Sequence, residues 1–245
     1  MTDLLHYEPI IRLSCFLGVL LAMMGWEWRW PRRTLSLSRA RRWPANLAII
    51  LIDSGVLRWL FPVLAVGMAE LAENRSWGLF HRLNAPFWLA FIATLLLLDL
   101  TIYAQHVAFH KIPLLWRLHR MHHTDLDFDV TTALRFHPLE IALSMLLKLA
   151  VVVLLGASPV AVMLFEVILN ATALFNHGNV RLSRKLDRAL RWVLVTPDMH
   201  RVHHSIHREE TDSNFGFNLP WWDRLFGTYR DQPRDGHAGM TIGLE

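Results

Sequence analysis

Residues 86–110 read PFWLAFIATLLLLDLTIYAQHVAFH, an apolar run that closes on two histidines four apart. A helix crosses the hydrocarbon core of a bilayer with about 20 mostly apolar residues, because the core is about 30 Å thick and each residue rises about 1.5 Å. This run is long enough, and its last turns carry Asp99, Tyr103, His106 and His110 at spacings that put all four on one helical face. An ionisable residue inside a span is costly and marks function by default. Asp99 is therefore expected to face inward, either receiving a hydrogen bond from a ligand imidazole or tying helices together.

Three further stretches share this character. Residues 10–28 and 45–69 each suffice for one span, and 138–175 suffices for two, with Gly156-Ala157-Ser158-Pro159 as the turn between them. The expectation is an all-α integral-membrane helical bundle of three spans plus a helical hairpin. It forms a single membrane domain over 1–245, with segments 111–137 and 176–245 as a histidine-rich cap. Composition agrees: 53% of the 245 residues are hydrophobic, and the mean hydropathy is +0.27. Eleven Trp and thirteen Phe suit anchoring at the membrane interface.

Charge sets the expected orientation. Arg29, Arg32, Arg33, Arg39, Arg41 and Arg42 lie between the first two apolar stretches. A nucleic-acid binder can carry such a cluster, but flanking spans on both sides favour a cytoplasmic loop facing anionic lipid, and no nucleic-acid partner is expected. With that loop inside, residues 70–85 lie outside, and the third span and the hairpin both end in the cytoplasm. Every histidine cluster then falls at one membrane level on the cytoplasmic side of a multi-pass protein. Cys15 is the single cysteine, so no intrachain disulfide or thiolate metal site is available. The acidic N-terminus lacks the basic start of a removable signal peptide.

After the pair His106 and His110 comes Leu118-His119-Arg120-Met121-His122-His123, and the same H-x-x-H-H pattern returns at His200, His203 and His204. On a helix, positions i, i+3 and i+4 span an arc of about 100°, so the three imidazoles of each motif converge on one side. Pro113 suits the start of the first of these helices. Thr196 as N-cap, Pro197 at the first position and Asp198 near the positive end of the dipole suit the second. With 14 histidines in 245 residues, one such motif arises by chance about 0.05 times per chain, and two on the order of once in a thousand chains. Eight imidazoles exceed the four that a tetrahedral ion takes, so two metal ions are expected. His177, where the hairpin re-enters the cap, is a ninth ligand candidate. His137, at the start of the hairpin, is either a ligand or a partner of one. His207 reads as a surface residue, and His6, His81 and His237 have no cluster around them.

These motifs resemble the fatty acid hydroxylase/sterol desaturase superfamily of membrane non-haem di-iron proteins. The resemblance is carried by the histidines at 106 and 110, 119 to 123 and 200 to 204, the run Thr132 to Glu140, and Asn176-His177-Gly178-Asn179. It continues through Asn214-Phe215-Gly216 and Trp222 to Tyr229. Three residues separate His106 from His110 where some members have four, a difference that bears on subfamily. The resemblance implies an O2-dependent enzyme with two iron ions that hydroxylates or desaturates a membrane lipid at an unactivated C–H bond. Electrons would come from a separate ferredoxin- or cytochrome-type donor, since the chain carries no flavin or dinucleotide fingerprint and no iron–sulfur cysteines. Spacing alone does not choose iron over zinc, which is an alternative occupant in isolated protein. Two rival readings stand beside this one: a membrane zinc hydrolase, for which the chain lacks an H-E-x-x-H motif, and a non-catalytic metal or haem protein, in which most of the eight histidines would be idle.

Overall fold

The computed structural model describes residues 2–244, and among these no β-strand forms, only two isolated bridges. The long helices are α1 (Glu8–Arg29), α2 (Arg39–Leu60), α3 (Ala65–Asn74), α4 (Phe87–Lys111), α5 (Pro113–His123), α6 (Pro138–Leu155) and α7 (Pro159–Asn176), followed by the shorter α8 (Arg184–Leu190) and α9 (Pro197–His203). Five helical segments are long and apolar enough to cross a membrane: α1, the α2–α3 segment, α4, α6 and α7. The expected all-helical membrane bundle is what forms.

One boundary differs from the sequence expectation. Residues 45–69 are not one unbroken helix: α2 ends at Leu60 and α3 begins only at Ala65. Pro62 has no N–H to continue the helical ladder, and its ring disfavours helical geometry in the residue before it. After the break, α3 packs against both α6 and α7. Its fully buried Ala65, Ala69 and Ala72 present small side chains that allow close approach. Around them Leu98 and Ile102 of α4, Met145, Leu149 and Val152 of α6, and Phe165 of α7 form the main apolar core.

The hairpin turn is built by conformation as well as by composition. Gly156 closes α6 with φ +67°, and a Cβ there would lie 2.2 Å from the Trp77 carbonyl. Only glycine fits that combination of left-handed backbone and close approach. Ser158 then caps α7 by accepting from Ala161 N at 3.2 Å, with Pro159 in the first turn.

At the opposite end, loops fold over the helix termini. The α5–α6 connection carries a 3-10 turn, Val130–Leu134, whose cap Asp129 accepts from Thr131 N at 2.9 Å. Arg42 reaches this loop from α2, with Nε 2.6 Å from Asp125 Oδ1 and Nη1 2.6 Å from Asp129 Oδ2. Not all of the arginine cluster therefore faces lipid. Arg42 is buried in an ion pair, Arg32 bonds Asp198 at 3.0 Å, and Arg33 donates to the Met240 carbonyl at 2.7 Å. These bonds tie the α1–α2 connection to α9 and to the C-terminal segment.

Candidate metal centre

Nine histidines meet where the ends of α4, α5, α7 and α9 converge under the cap. α4 delivers His106 and His110 from its last turns. A break at Ile112, with Pro113 opening the next helix, turns the chain into α5, which carries His119, His122 and His123. His177 is the C-cap of α7. In α9, Thr196 Oγ1 accepts from Met199 N at 3.3 Å, the N-cap its sequence announces, and the helix presents His200 and His203, with His204 as its C-cap. All nine rings are buried.

Their nitrogens fall into two groups. His106, His110, His119, His123 and His203 form one, and His122, His177, His200 and His204 form the other; within each group one nitrogen per residue lies within 4.8 Å of all the rest. Each H-x-x-H-H motif is divided between them. His119 and His123 join the first group while His122 joins the second, and in the other motif His203 joins the first while His200 and His204 join the second. The expectation that each motif points as a unit to one side is thus corrected. An arc of about 100° is wide enough for i+3 to address a different centre from i and i+4.

Hydrogen bonds determine which ring nitrogen is free. A backbone carbonyl can only accept, so a nitrogen bonded to one must carry the proton. His106 Nδ1 donates to Phe215 O at 2.8 Å, His122 Nδ1 to Arg135 O at 3.2 Å, His177 Nδ1 to Ala173 O at 2.7 Å, and His203 Nδ1 to Ser213 O at 2.7 Å. His119 Nδ1 faces Glu140 Oε1 at 2.6 Å. The opposite nitrogen of each neutral ring then carries a lone pair, and these lone pairs face one another. His122 Nε2 and His177 Nε2 are 3.0 Å apart, and His106 Nε2 and His119 Nε2 are 3.2 Å apart. Two lone pairs at that range repel unless a cation lies between them. Nitrogens about 2.0–2.1 Å from one ion, at angles of about 90–110°, are separated by about 2.9–3.4 Å. His203 Nε2, His204 Nε2 and both nitrogens of His110 and His123 are buried with no hydrogen-bond partner. The residues fit a pair of cations.

The electrostatics agree with neutral, metal-ready rings. Burial, reinforced by neighbouring imidazoles, pushes His122, His123, His200 and His204 well below the ordinary histidine value. Burial likewise lowers His203 to about 3 and His177 to about 4. A ligand must be deprotonated to bind a metal, so rings that resist protonation leave the metal fewer protons to displace. Aromatic side chains close the site: Phe136 stacks on His122 with centroids 4.5 Å apart, and Trp116 packs on His110 at 4.9 Å.

Two sequence candidates lie elsewhere. Asp99 bonds no imidazole; it accepts from Trp222 Nε1 at 2.8 Å and from Leu219 N at 3.3 Å, tying α4 to the cap. His137 joins neither group; it caps α6, its Nδ1 accepting from Leu139 N at 3.1 Å. The carboxylate that orients an imidazole is Glu140, one turn into α6 and buried, whose signal in the sequence is an acidic residue in the first turn of an otherwise apolar hairpin. The Asn214 to Tyr229 region contributes through the backbone. Asp223 accepts from Phe215 N and Gly216 N, both at 2.8 Å, and so holds the Phe215 carbonyl against His106. Asn214, at φ +51°, donates to Met199 O and Arg230 O at 2.9 Å. His207 pairs with Asp235 at 3.0 Å, away from both groups.

A cavity of about 260 Å³ leads to the first group. His106, His119, Phe136 and Glu140 line it, and α1, α2, α4, α6 and α7 supply its walls.

The family model described as fatty acid hydroxylase matches residues 91–228, more than half of the chain. An alkylglycerol monooxygenase of Xenopus tropicalis is 25% identical over 98% of this chain and 51% of its own length. An ornithine lipid hydroxylase, OlsE, of Rhizobium tropici is 32% identical over 64% of this chain and 46% of its own length. A cholesterol 25-hydroxylase-like protein of Danio rerio is 27% identical over 84% of this chain and 74% of its own length. The chain thus spans about half the length of the first two relatives. No solved structure matches it.

Proposed function

This chain belongs to the fatty acid hydroxylase family, and from that premise we propose that it is an O2-dependent lipid hydroxylase with a di-iron centre. One ion would be held by His106, His110, His119, His123 and His203, and the other by His122, His177, His200 and His204. The observation that carries this reading is the facing of imidazole nitrogens about 3 Å apart in a buried cluster where further imidazole nitrogens have no hydrogen-bond partner. The names of the relatives add support, since each pairs a monooxygenase or hydroxylase with a lipid: an alkylglycerol, an ornithine lipid and cholesterol.

When bound, the iron pair supplies the activation of O2 that an unactivated C–H bond requires. Net hydroxylation inserts one oxygen atom into the C–H bond and releases the other as water, consuming two electrons and two protons. A separate ferredoxin- or cytochrome-type donor delivers the electrons. The protein's own part is positioning. Glu140 and four backbone carbonyls fix the imidazole tautomers, Phe136 and Trp116 exclude water, and the apolar cavity brings a lipid to His106 and His119. The histidine end is assigned to the cytoplasmic side, supported by exposed Arg29, Arg41, Lys111, Arg117, Arg120 and Arg184 at that end of the helices.

The test combines metal analysis with lipid mass spectrometry. Purified chain expressed with adequate iron is expected to hold about two iron ions. Lipid extracts from expressing cells grown under 18O2 are expected to contain a species heavier by one labelled oxygen. Metal content near zero, or a product lighter by two hydrogens, would overturn the hydroxylase reading.

A further inference from the structure

The cavity that reaches the histidines is small for a whole acyl chain. Its volume of about 260 Å³ lies just below the roughly 300–1,000 Å³ of pockets that enclose most of a drug-sized ligand. A headgroup with a few adjoining carbons fits; a long chain must continue into the bilayer. Helices α1 and α2, although consecutive in sequence, make few contacts with each other. Arg12 and Phe16 line the cavity from α1, and Ile50, Ser54 and Leu57 line it from α2.

Five charged side chains stand on the lining, and four have partners. Glu140 faces His119 Nδ1 at 2.6 Å. Glu166 accepts from Lys148 Nζ at 2.5 Å and pairs with Arg12, which also bonds Glu8 at 2.6 Å. Asp53 of α2 is the exception. It is 2% exposed, and neither carboxylate oxygen has a hydrogen-bond donor. Gln105 Oε1 and Glu140 Oε2, on the same lining, also lack donors. A buried carboxylate without a partner is among the costliest features of a membrane protein. What the lining lacks is a cation with several N–H donors. A protonated primary amine brings one positive charge and three donors.

Asp53 lies seven residues beyond Asn46 on α2, about 10 Å along the helix axis. Asn46 is held at the cap by Thr131 at 3.0 Å and Arg135 at 3.1 Å. The carboxylate is therefore in the spanning region, below the loop layer that covers the histidines.

We propose that Asp53 binds the ammonium group of an amine-bearing lipid, so that carbons close to the headgroup lie against His106 and His119 while the chain leaves between α1 and α2. This rests on reading the cavity as the substrate site. It adds the class of substrate and the region of the lipid that is oxidised. A neutral lipid, or one inserted tail first, leaves Asp53 unpaired.

The test is a binding competition that needs no turnover. Iron-loaded chain in dodecyl maltoside micelles at pH 7 is offered hexadecylamine and hexadecan-1-ol, which share a chain and differ in the charged donor, and occupancy is read by native mass spectrometry. A charge-assisted buried hydrogen bond predicts a preference for the amine of about tenfold or more. Asp53→Asn, which keeps shape and loses charge, is expected to bring the ratio to about one with iron content unchanged. Asp53→Ser serves the same purpose if the asparagine variant does not fold. Equal occupancy by the two probes in the unmodified chain overturns the proposal, as does a preference that survives removal of the carboxylate. An amine preference without oxygen incorporation into any lipid would leave Asp53's role standing and remove the hydroxylase reading. Oxygen incorporation without an amine preference would do the reverse.

Discussion

The five-histidine and four-histidine groups are built from the same residue type and share α5 and α9, with α4 serving only the first and α7 only the second, and they differ in what surrounds them. Two of the five, His106 and His119, line the cavity, and one is oriented by a side chain, Glu140. None of the four lines the cavity. His122 and His177 are oriented by the backbone carbonyls of Arg135 and Ala173, and His177, His200 and His204 sit against Phe128. The five-histidine group faces the cavity, and one of its rings has a side-chain partner, Glu140, that mutation can change. The four-histidine group is buried away from the cavity, and two of its rings, His122 and His177, are held by main chain that no side-chain substitution removes.

The largest break in that comparison comes from the ligands. His203→Ala and His122→Ala, one from each group, are each expected to lower iron from about two to about one or fewer per chain. Each should also reduce lipid hydroxylation by on the order of a hundredfold or more, with membrane insertion retained. Metal analysis and lipid mass spectrometry check both. An asymmetric result, with only one variant losing activity, would show that the two groups do not act as a pair.

A smaller effect sharpens the contrast. Glu140→Gln keeps a hydrogen-bond acceptor for His119 but removes its charge, and a loss of about 10- to 100-fold in metal affinity or activity is expected, confined to the cavity-facing ion. Chelator titration of the variant should show one weakened and one unchanged site. Equal weakening of both would mean that the groups share more of their support than their hydrogen bonds suggest.

Next are the braces behind the rings. Asp223→Ala frees the Phe215 and Gly216 N–H groups, each of which then lies buried without a partner at a cost of about 1–3 kcal/mol. The expected outcome is a clear fall in Tm and weaker retention of the cavity-facing ion, because the Phe215 carbonyl is no longer held against His106. Asp99→Asn is the mildest. It keeps an oxygen for Trp222 and Leu219, so a stability loss of about 1 kcal/mol with full iron content is expected, read by thermal unfolding. Iron loss in this variant would return Asp99 to the role of imidazole partner.

Several of these supports were not legible in the sequence. Asp99 stands out as a charge in an apolar helix, but the spacing that puts it on the histidine face does not reveal that Trp222, far along the chain, takes its carboxylate. Glu140 is as buried as the rings it serves, yet in sequence it is one acidic residue at a helix start, where the helix dipole alone would explain it. The carbonyls that set the imidazole tautomers carry no sequence signal, because every residue has one. The break between α2 and α3 was available in Pro62 and was masked by the apolar residues on both sides, since hydropathy averages over a window and a helix ends at a single residue.

What the sequence determined by itself was the inventory: apolar runs long enough to cross a membrane, a turn between two of them, and histidines at i, i+3 and i+4. Those features rest on local periodicity and length, which are properties of a chain read in order. The division of nine imidazoles into a group of five and a group of four was decided only by tertiary structure. Each H-x-x-H-H motif spreads its rings over an arc rather than a point, and the direction of each ring's free nitrogen depends on which carbonyl or carboxylate, supplied by a distant segment, takes the proton on the other side.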